Sequence, residues 1–331
     1  MSVVDINKTK IVAFGGGNAM PKTVLAGLKN YDVDITTVTS MVDSGGSTGQ
    51  LRKDFNVLSP GDIRRHLIAL SNAPQWKKSL FGFRFGREEF EGGHRGHSFG
   101  NVFLAGLEYA LQDYGKVLEV VHEFLEVKGR CLPATIEKTH VYAVLENGEI
   151  VEGEDEIDVP KKHDGNLKIK KIFLKPETNG YPPALDAITQ SDLIIIGPGD
   201  LYSSILPCFL PKGIPKAIQA SKAKKIFICP PMTKFGETNE FLISDFVNEV
   251  EKYLGCKLDH IIYNSDMPSE ERVNKYKEEE PTVLKVIEAN SILDERFVSE
   301  NLLVESGPIT YDPNKLSALI TNLGKDTDGF K

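Results

Sequence analysis

Three short apolar segments of this chain end abruptly in loops rich in glycine and small polar residues. Residues 10–14 are followed by the loop 15–18, residues 35–42 by the loop 43–49, and residues 193–196 by the loop 197–204. Continuous apolar segments that alternate with helical periodicity are typical of a parallel sheet covered on both faces. We therefore predict an α/β protein with a Rossmann-like three-layer α/β/α fold and a mostly parallel sheet, whose carboxyl edge carries these loops.

This architecture is expected to form a single domain over residues 1–331, with two additions. Between about 139 and 176, apolar and polar residues alternate and Asn147-Gly148 supplies a hairpin turn, which predicts a small β-rich insertion. Residues 71–99 contain many glycines and charged residues without a clear period. That composition indicates a long, lid-like loop.

Bulk composition limits the partners of the chain. It has 331 residues and a formal net charge of −8, so its overall field repels nucleic acid and anionic membranes. The first ten residues are polar and charged, and no apolar run approaches the roughly 20 residues that span a bilayer. The four cysteines form no CxxC pair, as expected for reduced thiols. We expect a cytoplasmic protein that neither binds nucleic acid nor inserts into a membrane.

The loops predict a site for a phosphorylated ligand. Glycine lets the backbone approach a phosphate closely, and a helix that starts after the loop presents N–H groups and a partial positive charge. A tight turn with positive φ is the alternative for any single loop, and the last loop could simply cap the helix that follows it. Three loops at one edge favour the phosphate site. The predicted contacts are Gly15, Gly16, Gly17, Asn18, Ser44, Gly45, Gly46, Ser47, Gly197, Gly199, Leu201, Tyr202 and Ser203.

A dinucleotide-dependent enzyme is not expected. The pattern GxGxxG would place its third glycine at Met20. Asp43 stands where an NAD enzyme would hold a ribose, but a glycine loop of its own follows directly. Neither bound NAD nor hydride transfer is therefore predicted.

Two aspartates are the candidate metal ligands and catalytic groups. Asp43 ends the second apolar segment and Asp62 opens a helical segment, and Mg²⁺ prefers one or two carboxylates completed by water and phosphate oxygens. Asp62 could instead be an ordinary helix N-cap. Of the adjacent Arg64 and Arg65, only one can face a ligand, because neighbouring helical positions diverge by about 100°. His97 is either a ligand contact, a general base or a structural histidine.

Taken together and in order, these loops resemble the 2-phospho-L-lactate transferase (CofD-like) superfamily, and most closely its YvcK-like branch, whose members are labelled gluconeogenesis factors. The resemblance implies a Rossmann-like fold and a homodimer or larger assembly that binds a nucleotide diphosphate. On its motifs it also implies ligand contacts for Arg52, Arg64, His97, Asn101 and Asn264. The matching motifs are residues 14–17, 42–52, 59–64, 96–101, 197–205, 232–233, 236–238 and 263–264.

The two branches of the superfamily imply different functions. The YvcK-like branch binds UDP-sugars and acts in the control of cell-wall synthesis, cell shape and carbon metabolism. The transferase branch uses Mg²⁺ to move a phospholactyl group from a guanosine-linked donor to a deazaflavin hydroxyl. A regulatory protein that binds a nucleotide or nucleotide-sugar is our first hypothesis. The alternative is a Mg²⁺-dependent phospholactyl transferase, and whether the chain is an enzyme stays open.

This chain departs from the family pattern at several positions. Asn18 stands where the first loop usually continues with threonine, and Ser44 replaces the second of two consecutive aspartates, which removes a potential Mg²⁺ ligand. Asp200 replaces a usual serine and adds negative charge. Thr310-Tyr311 stands where the YvcK-like branch carries Arg-His, whereas Tyr276 keeps an aromatic position of that branch.

Overall fold

The computed structural model describes residues 8–86, 96–287 and 294–325. Its strands are β1 (Thr9–Phe14), β2 (Val33–Thr39), β3 (Arg130–Pro133), β4 (His140–Leu145), β5 (Ile150–Glu152), β6 (Ile169–Lys175), β7 (Leu193–Ile196), β8 (Lys224–Ile228), β9 (Met232–Lys234), β10 (His260–Asn264), β11 (Val283–Val286) and β12 (Phe297–Glu300). Its α-helices are α1 (Ala26–Leu28), α2 (Gly46–Phe55), α3 (Gly61–Leu70), α4 (Gln75–Gly82), α5 (Phe99–Leu111), α6 (Tyr114–Phe124), α7 (Glu154–Asp158), α8 (Pro182–Thr189), α9 (Ile214–Ala220), α10 (Ile243–Leu254), α11 (Glu270–Glu279) and α12 (Pro313–Lys325). A π-helical turn, Pro21–Leu25, leads into α1, and a second one, Leu201–Ile205, follows β7 and continues into the 3₁₀ turn Leu206–Phe209.

Seven parallel strands form the central sheet in the order β12-β10-β8-β7-β1-β2-β3. Phe14, the last residue of β1, pairs with Val38 of β2 and with Ile196 of β7, so these three strands end at nearly the same level. The chain proceeds from β1 to one edge of the sheet and from β7 to the other. Doubly wound sheets bind ligands in the crevice beyond such a reversal of strand order.

Helices cover both faces of the sheet because crossovers between parallel strands are right-handed. The crossovers through α1 and α9 leave the centre of the sheet in opposite directions, so these two helices lie on opposite faces. Helix α1 packs against α12, and α9 packs against α8 and α10. The central strands are buried between them, with Ile194, Ile195 and Ile196 inaccessible to solvent. The predicted three-layer α/β fold is confirmed.

The predicted β-rich insertion is also confirmed. Strand β4 pairs antiparallel with β5 and with β6, and Gly148 adopts the positive φ of 88° that the turn between β4 and β5 requires. Helix α7 follows β5 and contacts the turn Leu201–Ile205 at the carboxyl edge of the main sheet. A separate antiparallel pair joins β9 and β11.

Two local predictions differ from the structure. The second strand ends at Thr39 rather than at residue 42, so Asp43 lies within the loop 40–45 that leads to α2. The segment predicted as a lid-like loop contains α4, whose Phe81 is fully buried and packs against Phe99 and Phe103. Residues 87–95 of that segment lie outside the described ranges. In the parts of the chain that the structure describes, we find no helix with the length and apolar character needed to traverse a bilayer.

Candidate functional site

A cleft of about 320 Å³ opens at the carboxyl ends of β1, β2 and β7. It lies where the strand order reverses, as expected for this topology. Its walls come from the loops after β1 and β2, from α3, from α7 and from the turn after β7. The residues that line it are Gly17, Asn18, Asp43, Gly45, Gly46, Ser47, Thr48, Asp62, Arg65, Arg84, Asn101, Glu154, Asp155, Asp158, Val159, Lys161, Asp200 and Ser204.

Helix α3 holds the peptide unit between Gly16 and Gly17 at both ends. The Nε2 atom of His66 lies 3.0 Å from the carbonyl oxygen of Gly16. The carboxylate of Asp62, one turn earlier, accepts a hydrogen bond from the N–H of Gly17. Because a carbonyl oxygen only accepts, Nε2 carries the proton, and burial lowers the pKa of His66 to about 4, which keeps the ring neutral. The N–H of Gly17 is therefore used within the protein.

Close packing explains the glycines of this first loop without a ligand. A Cβ atom on Gly17 would lie 2.6 Å from Oδ1 of Asp62 and 2.8 Å from Cδ of Arg65. One on Gly16 would lie 2.6 Å from Oγ of Ser204. Because Gly16 and Gly17 have no side chains, β1, α3 and the turn after β7 can approach one another closely. This approach brings Asp62 to the cleft.

The second loop presents Asp43 and the start of α2 to the cleft. Oδ1 of Asp43 accepts from the N–H of Gly45 at 2.9 Å. The first turn of α2 has no side-chain cap, and Gly46 has a φ of 45° with no atom within 4 Å of where a Cβ would stand. An uncapped helix N-terminus with open space before it is suited to an anion.

Arg52 fixes the main chain of this loop from behind. Its guanidinium donates to the carbonyl oxygens of Val42 and Asp43, both at 2.9 Å, and to that of Thr139 at 2.6 Å. Arg52 does not line the cleft. Its role in the structure is to hold the Asp43 loop and the start of the insertion together.

Four of the predicted contact residues form one hydrogen-bonded cluster beside the cleft. Oγ of Ser47 lies 2.9 Å from Nδ1 of His97 and accepts from Nδ2 of Asn101 at 3.2 Å. Oδ1 of Asn101 accepts from Nε of Arg64 at 2.8 Å. Ser47 and Asn101 reach the cleft, while His97 and Arg64 are buried behind them. The arginine that faces the cleft is Arg65, because it is the next residue along α3 and points in a different direction.

Two N–H groups of the third loop, those of Tyr202 and Ser203, are occupied by the protein. The buried carboxylate of Glu237 accepts from the N–H of Tyr202 at 2.6 Å, from the N–H of Ser203 at 3.2 Å and from Oγ of Ser203 at 2.8 Å. A carboxylate thus stands where a phosphate would bind this turn. Of the two interpretations of this loop, the structure favours the capped turn, and only Asp200 and Ser204 of the loop line the cleft.

Lys234 lies among three carboxylates next to the cleft. Its ammonium group contacts Asp158 and is 3.0 Å from Oδ2 of Asp200 and 3.5 Å from Oε1 of Glu237. Within the described ranges, these carboxylates are the group of three whose oxygens lie close enough together to hold a metal ion, but the Lys234 ammonium already contacts all three and offsets one of their charges. Burial acts to lower the pKa of Lys234, and the three carboxylates together raise it.

Negative charge dominates the cleft. Burial and the nearby Asp43 raise the pKa of Asp62 to about 7, and the same two causes raise the pKa of Glu154 to about 9. Crowded carboxylates of this kind are relieved by a divalent cation, so Asp43 and Asp62 fit Mg²⁺. The acidic side chains of the lining are Asp43, Asp62, Glu154, Asp155, Asp158 and Asp200, and its cationic side chains are Arg65, Arg84 and Lys161. Even with Glu154 protonated at neutral pH, as its raised pKa requires, five acidic groups face three cationic ones.

The structure divides the predicted site residues into two groups. Those that line the cleft are Gly17, Asn18, Asp43, Gly45, Gly46, Ser47, Asp62 and Asn101. Those outside its lining are Gly15, Gly16, Ser44, Arg52, Arg64, His97, Gly197, Gly199, Leu201, Tyr202, Ser203 and Asn264.

For Asp62, Ser44 and Asn264, the contacts in the structure differ from those expected from the sequence. The N-cap alternative for Asp62 is wrong, because α3 begins at Gly61 and Asp62 makes no capping bond. The hydroxyl of Ser44 donates to Oδ1 of Asp155 at 2.6 Å and so supports the loop. Asn264 ends β10, where its Oδ1 accepts from the N–H of Leu302 at 3.0 Å.

Sequence reasoning missed the residues that reach the cleft from the insertion and the buried partners of the loops. The acidic segment Glu154–Asp158 is visible in the sequence, but no local pattern indicates that it returns to the sheet edge. The sequence does not indicate the roles of His66, Lys234 and Glu237 for the same reason, since each side chain contacts a loop that is far away in the chain. Arg65, the alternative to Arg64 in the sequence analysis, lines the cleft. The lining residues outside the predictions are Thr48, Arg84, Glu154, Asp155, Asp158, Val159, Lys161, Asp200 and Ser204.

A doubly wound parallel sheet with an acidic cleft at its strand reversal defines an α/β protein of the Rossmann-like class. The family model described as 2-phospho-L-lactate transferase CofD matches residues 11–303. The chain belongs to this family.

Individual relatives agree with this assignment over nearly their whole length. A protein of Thermotoga maritima is 38% identical over 322 residues, which cover 96% of this chain and 99% of the relative. The gluconeogenesis factor of Bacillus subtilis is 35% identical over 323 residues, with the same coverage of 96% and 99%. The crystal structure of a UPF0052 family member from Bacillus halodurans superposes with a TM-score of 0.86 at 34% identity, covering 95% of this chain and 99% of that one. The predicted family is confirmed.

Proposed function

We propose that the cleft binds the diphosphate of a nucleotide or nucleotide-sugar, with a UDP-sugar as the expected ligand. The observation that supports this most is the uncapped N-terminus of α2, which opens into the cleft beside Asp43. Arg65 and Asn18 line the same space. In this proposal the bound nucleotide-sugar makes the protein a cytoplasmic regulator of cell-wall synthesis and carbon metabolism. The family resemblance and the name of the Bacillus subtilis relative support that role, and the resemblance also supports a homodimer or larger assembly.

A divalent cation fits the proposed ligand. The excess of carboxyl groups in the lining opposes a diphosphate. Asp43 and Asp62 both line the cleft, and Asp43 raises the pKa of Asp62. We expect these two carboxylates to hold Mg²⁺, which would neutralise part of the charge of the diphosphate.

A Mg²⁺-dependent phospholactyl transferase is the second candidate. The description of the matching family names this activity, and the neighbouring Asp43 and Asp62 are the carboxylates that such an enzyme would use. Ser44 weighs against it, because it stands where a second adjacent aspartate is usual and its hydroxyl is bonded to Asp155. The site therefore has one potential metal ligand fewer, which favours the binding function.

Thermal-shift measurements with UDP-N-acetylglucosamine, GDP and NAD, each with and without Mg²⁺, test the proposal. A ligand at about 100 times its Kd stabilises the protein by about 2.7 kcal/mol. We expect the UDP-sugar to raise the melting temperature most, and Mg²⁺ to increase that shift. Asp43→Asn should remove the Mg²⁺-dependent part, whereas Asp54→Asn, on the exposed side of α2, should leave it intact.

The other outcomes have separate meanings. A preference for GDP with Mg²⁺, together with phospholactyl transfer to a deazaflavin, would select the transferase. A preference for NAD, or no shift with any nucleotide, would contradict both candidates. A UDP-sugar shift that Asp43→Asn leaves unchanged would place the ligand outside this cleft.

A further inference from the structure

A second cavity lies behind the Asp43 loop, on the side away from the cleft. Its volume is about 390 Å³, and its cationic side chains are Arg52, Lys53 and Lys138. His140 also lines it, but burial and Arg52 lower the pKa of its imidazole, so this ring is uncharged at neutral pH. None of the described residues that line it is acidic. The cavity is therefore basic in a chain whose net charge is −8, whereas the neighbouring cleft is acidic.

The two lysines keep their charges available to this cavity. Lys53 and Lys138 are both exposed, and within the described ranges neither ammonium group takes part in a salt bridge or donates a hydrogen bond. Glu108 interacts electrostatically with Lys138, but its carboxylate accepts from the N–H of Leu58 at 2.9 and 3.1 Å. Arg52 adds a positive charge at the wall, where carbonyl oxygens hold its guanidinium, and Asp43 on the cleft side offsets part of that charge.

Stabilisation of α2 alone does not account for this grouping. Lys53 lies in the last turn of α2, where a cation is favourable to the helix dipole. Lys138 and His140 come from the start of the insertion, far away in the sequence, and gain nothing from that helix. Lys53 and Lys138 thus place two like charges on one cavity, and an anion bound there would offset them.

We propose that this cavity is a binding site for a compact polyanion, a small metabolite with at least two phosphate or carboxylate groups. A volume of about 390 Å³ is in the range of small-molecule sites. The buried side chains of Val57 and Leu58 form its apolar wall. The Asp43 loop separates the cavity from the cleft, since Ser44 and Gly49 line the former while Asp43 and Gly46 line the latter. The polyanion site and the nucleotide site are thus distinct.

Isothermal titration calorimetry of the full chain in metal-free buffer tests this proposal. Inorganic pyrophosphate and citrate are the probes, because one carries phosphate and the other carboxylate groups. We expect one equivalent of at least one probe to bind, and the stronger of the two identifies the class of metabolite. The double variant Lys53→Glu/Lys138→Glu should weaken that binding by at least about tenfold.

Two control variants distinguish binding in this cavity from attraction by the protein's overall charge and from binding in the cleft. Lys216→Glu/Lys222→Glu changes the net charge equally at exposed positions elsewhere, and should change the affinity by less than about twofold. Asp43→Asn alters the cleft and should leave probe binding unchanged. If Lys53→Glu/Lys138→Glu lowers the melting temperature strongly, Lys53→Gln/Lys138→Gln provides the same comparison without added negative charge.

Three results would overturn the proposal. They are no binding of either probe, equal weakening in both double variants, and clearly stronger binding in Asp43→Asn, whose cleft has lost a carboxylate that repels anions. The second would mean that only the general field of the protein attracts the probe. The third would mean that the probe occupies the cleft. Because the titration contains neither nucleotide nor Mg²⁺, its failure leaves the test of the proposed function separate.

Discussion

Replacement of Asp62 by asparagine should stabilise the ligand-free protein while it impairs the cleft. The fold raises the pKa of Asp62 from 3.8 to about 7 through burial and the nearby Asp43. At about 1.4 kcal/mol per pKa unit, this rise corresponds to about 4 kcal/mol of destabilisation once the carboxyl group is ionised. Asparagine is uncharged and keeps an oxygen that can accept from Gly17, but it loses the 3.5 Å ion pair with Arg65. We therefore expect a net gain of about 1–3 kcal/mol in the free energy of unfolding.

The gain from Asp62→Asn depends on pH with a definite sign. Because the folded protein holds this proton more tightly than the unfolded chain, ionisation destabilises the fold progressively between about pH 4 and pH 7. The free-energy cost of ionising Asp62 in the folded protein is constant above about pH 7, and only roughly a third of this cost is present at about pH 5. The advantage of the variant over the parent should thus be full at about pH 8 and small at about pH 5.

Urea denaturation followed by circular dichroism at these two pH values measures the difference. Asp54→Asn serves as a control at an exposed carboxylate and should change the free energy of unfolding by less than about 0.5 kcal/mol. In the same preparations, Mg²⁺ and nucleotide should stabilise Asp62→Asn less than the parent. A variant that is less stable than the parent at the higher pH, or whose advantage is equal at both, would refute the inferred crowding of Asp43 and Asp62.

Two further substitutions test the supports of the loops. His66→Phe removes the donor to the Gly16 carbonyl, so it should lower the free energy of unfolding in urea by about 1–3 kcal/mol and weaken nucleotide binding. His66→Gln should recover affinity. A Phe variant that binds like the parent would show that the bond from His66 to Gly16 does not support the site. Lys234→Met leaves the three carboxylates around it without their cation and should cost about 3–5 kcal/mol. Mn²⁺ should then raise the melting temperature of Lys234→Met more than that of the parent, and a variant as stable as the parent would show that the ammonium is not needed there.

The central fold was predictable because its strands have a strong local signature. Residues 10–14 and 193–196 are continuous apolar runs that end in glycine, and a parallel sheet buried on both faces requires that pattern. The rule that ligands bind at the carboxyl edge then placed the loop that carries Asp43 at the ligand site. This step needed no side-chain geometry, since it depends only on strand direction and order.

The missed parts of the site depend on contacts that leave no local pattern. Helix α4 lies between segments rich in glycine and charge, and only the packing of Phe81 against α5 marks it. Helix α7 has the composition of an acidic surface segment, yet β4 and β5 carry it back to the main sheet. Glu237 follows a short strand far from the turn that it caps. Each of these positions is fixed by tertiary structure alone.

The three glycine loops look alike in the sequence but have different physical reasons for their glycines. A Cβ atom on Gly16 or Gly17 would lie within 3 Å of neighbouring atoms, so these glycines serve packing, whereas Gly46 faces open space. The N–H of Gly17 is bonded to Asp62, and the N–H groups of Tyr202 and Ser203 in the third loop are bonded to Glu237. Backbone donors for a phosphate therefore remain at the start of α2, beside carboxylates that repel it. Since those few donors must overcome a surplus of negative charge, nucleotide binding should depend on a cation far more than it does in sites built from several open glycine loops.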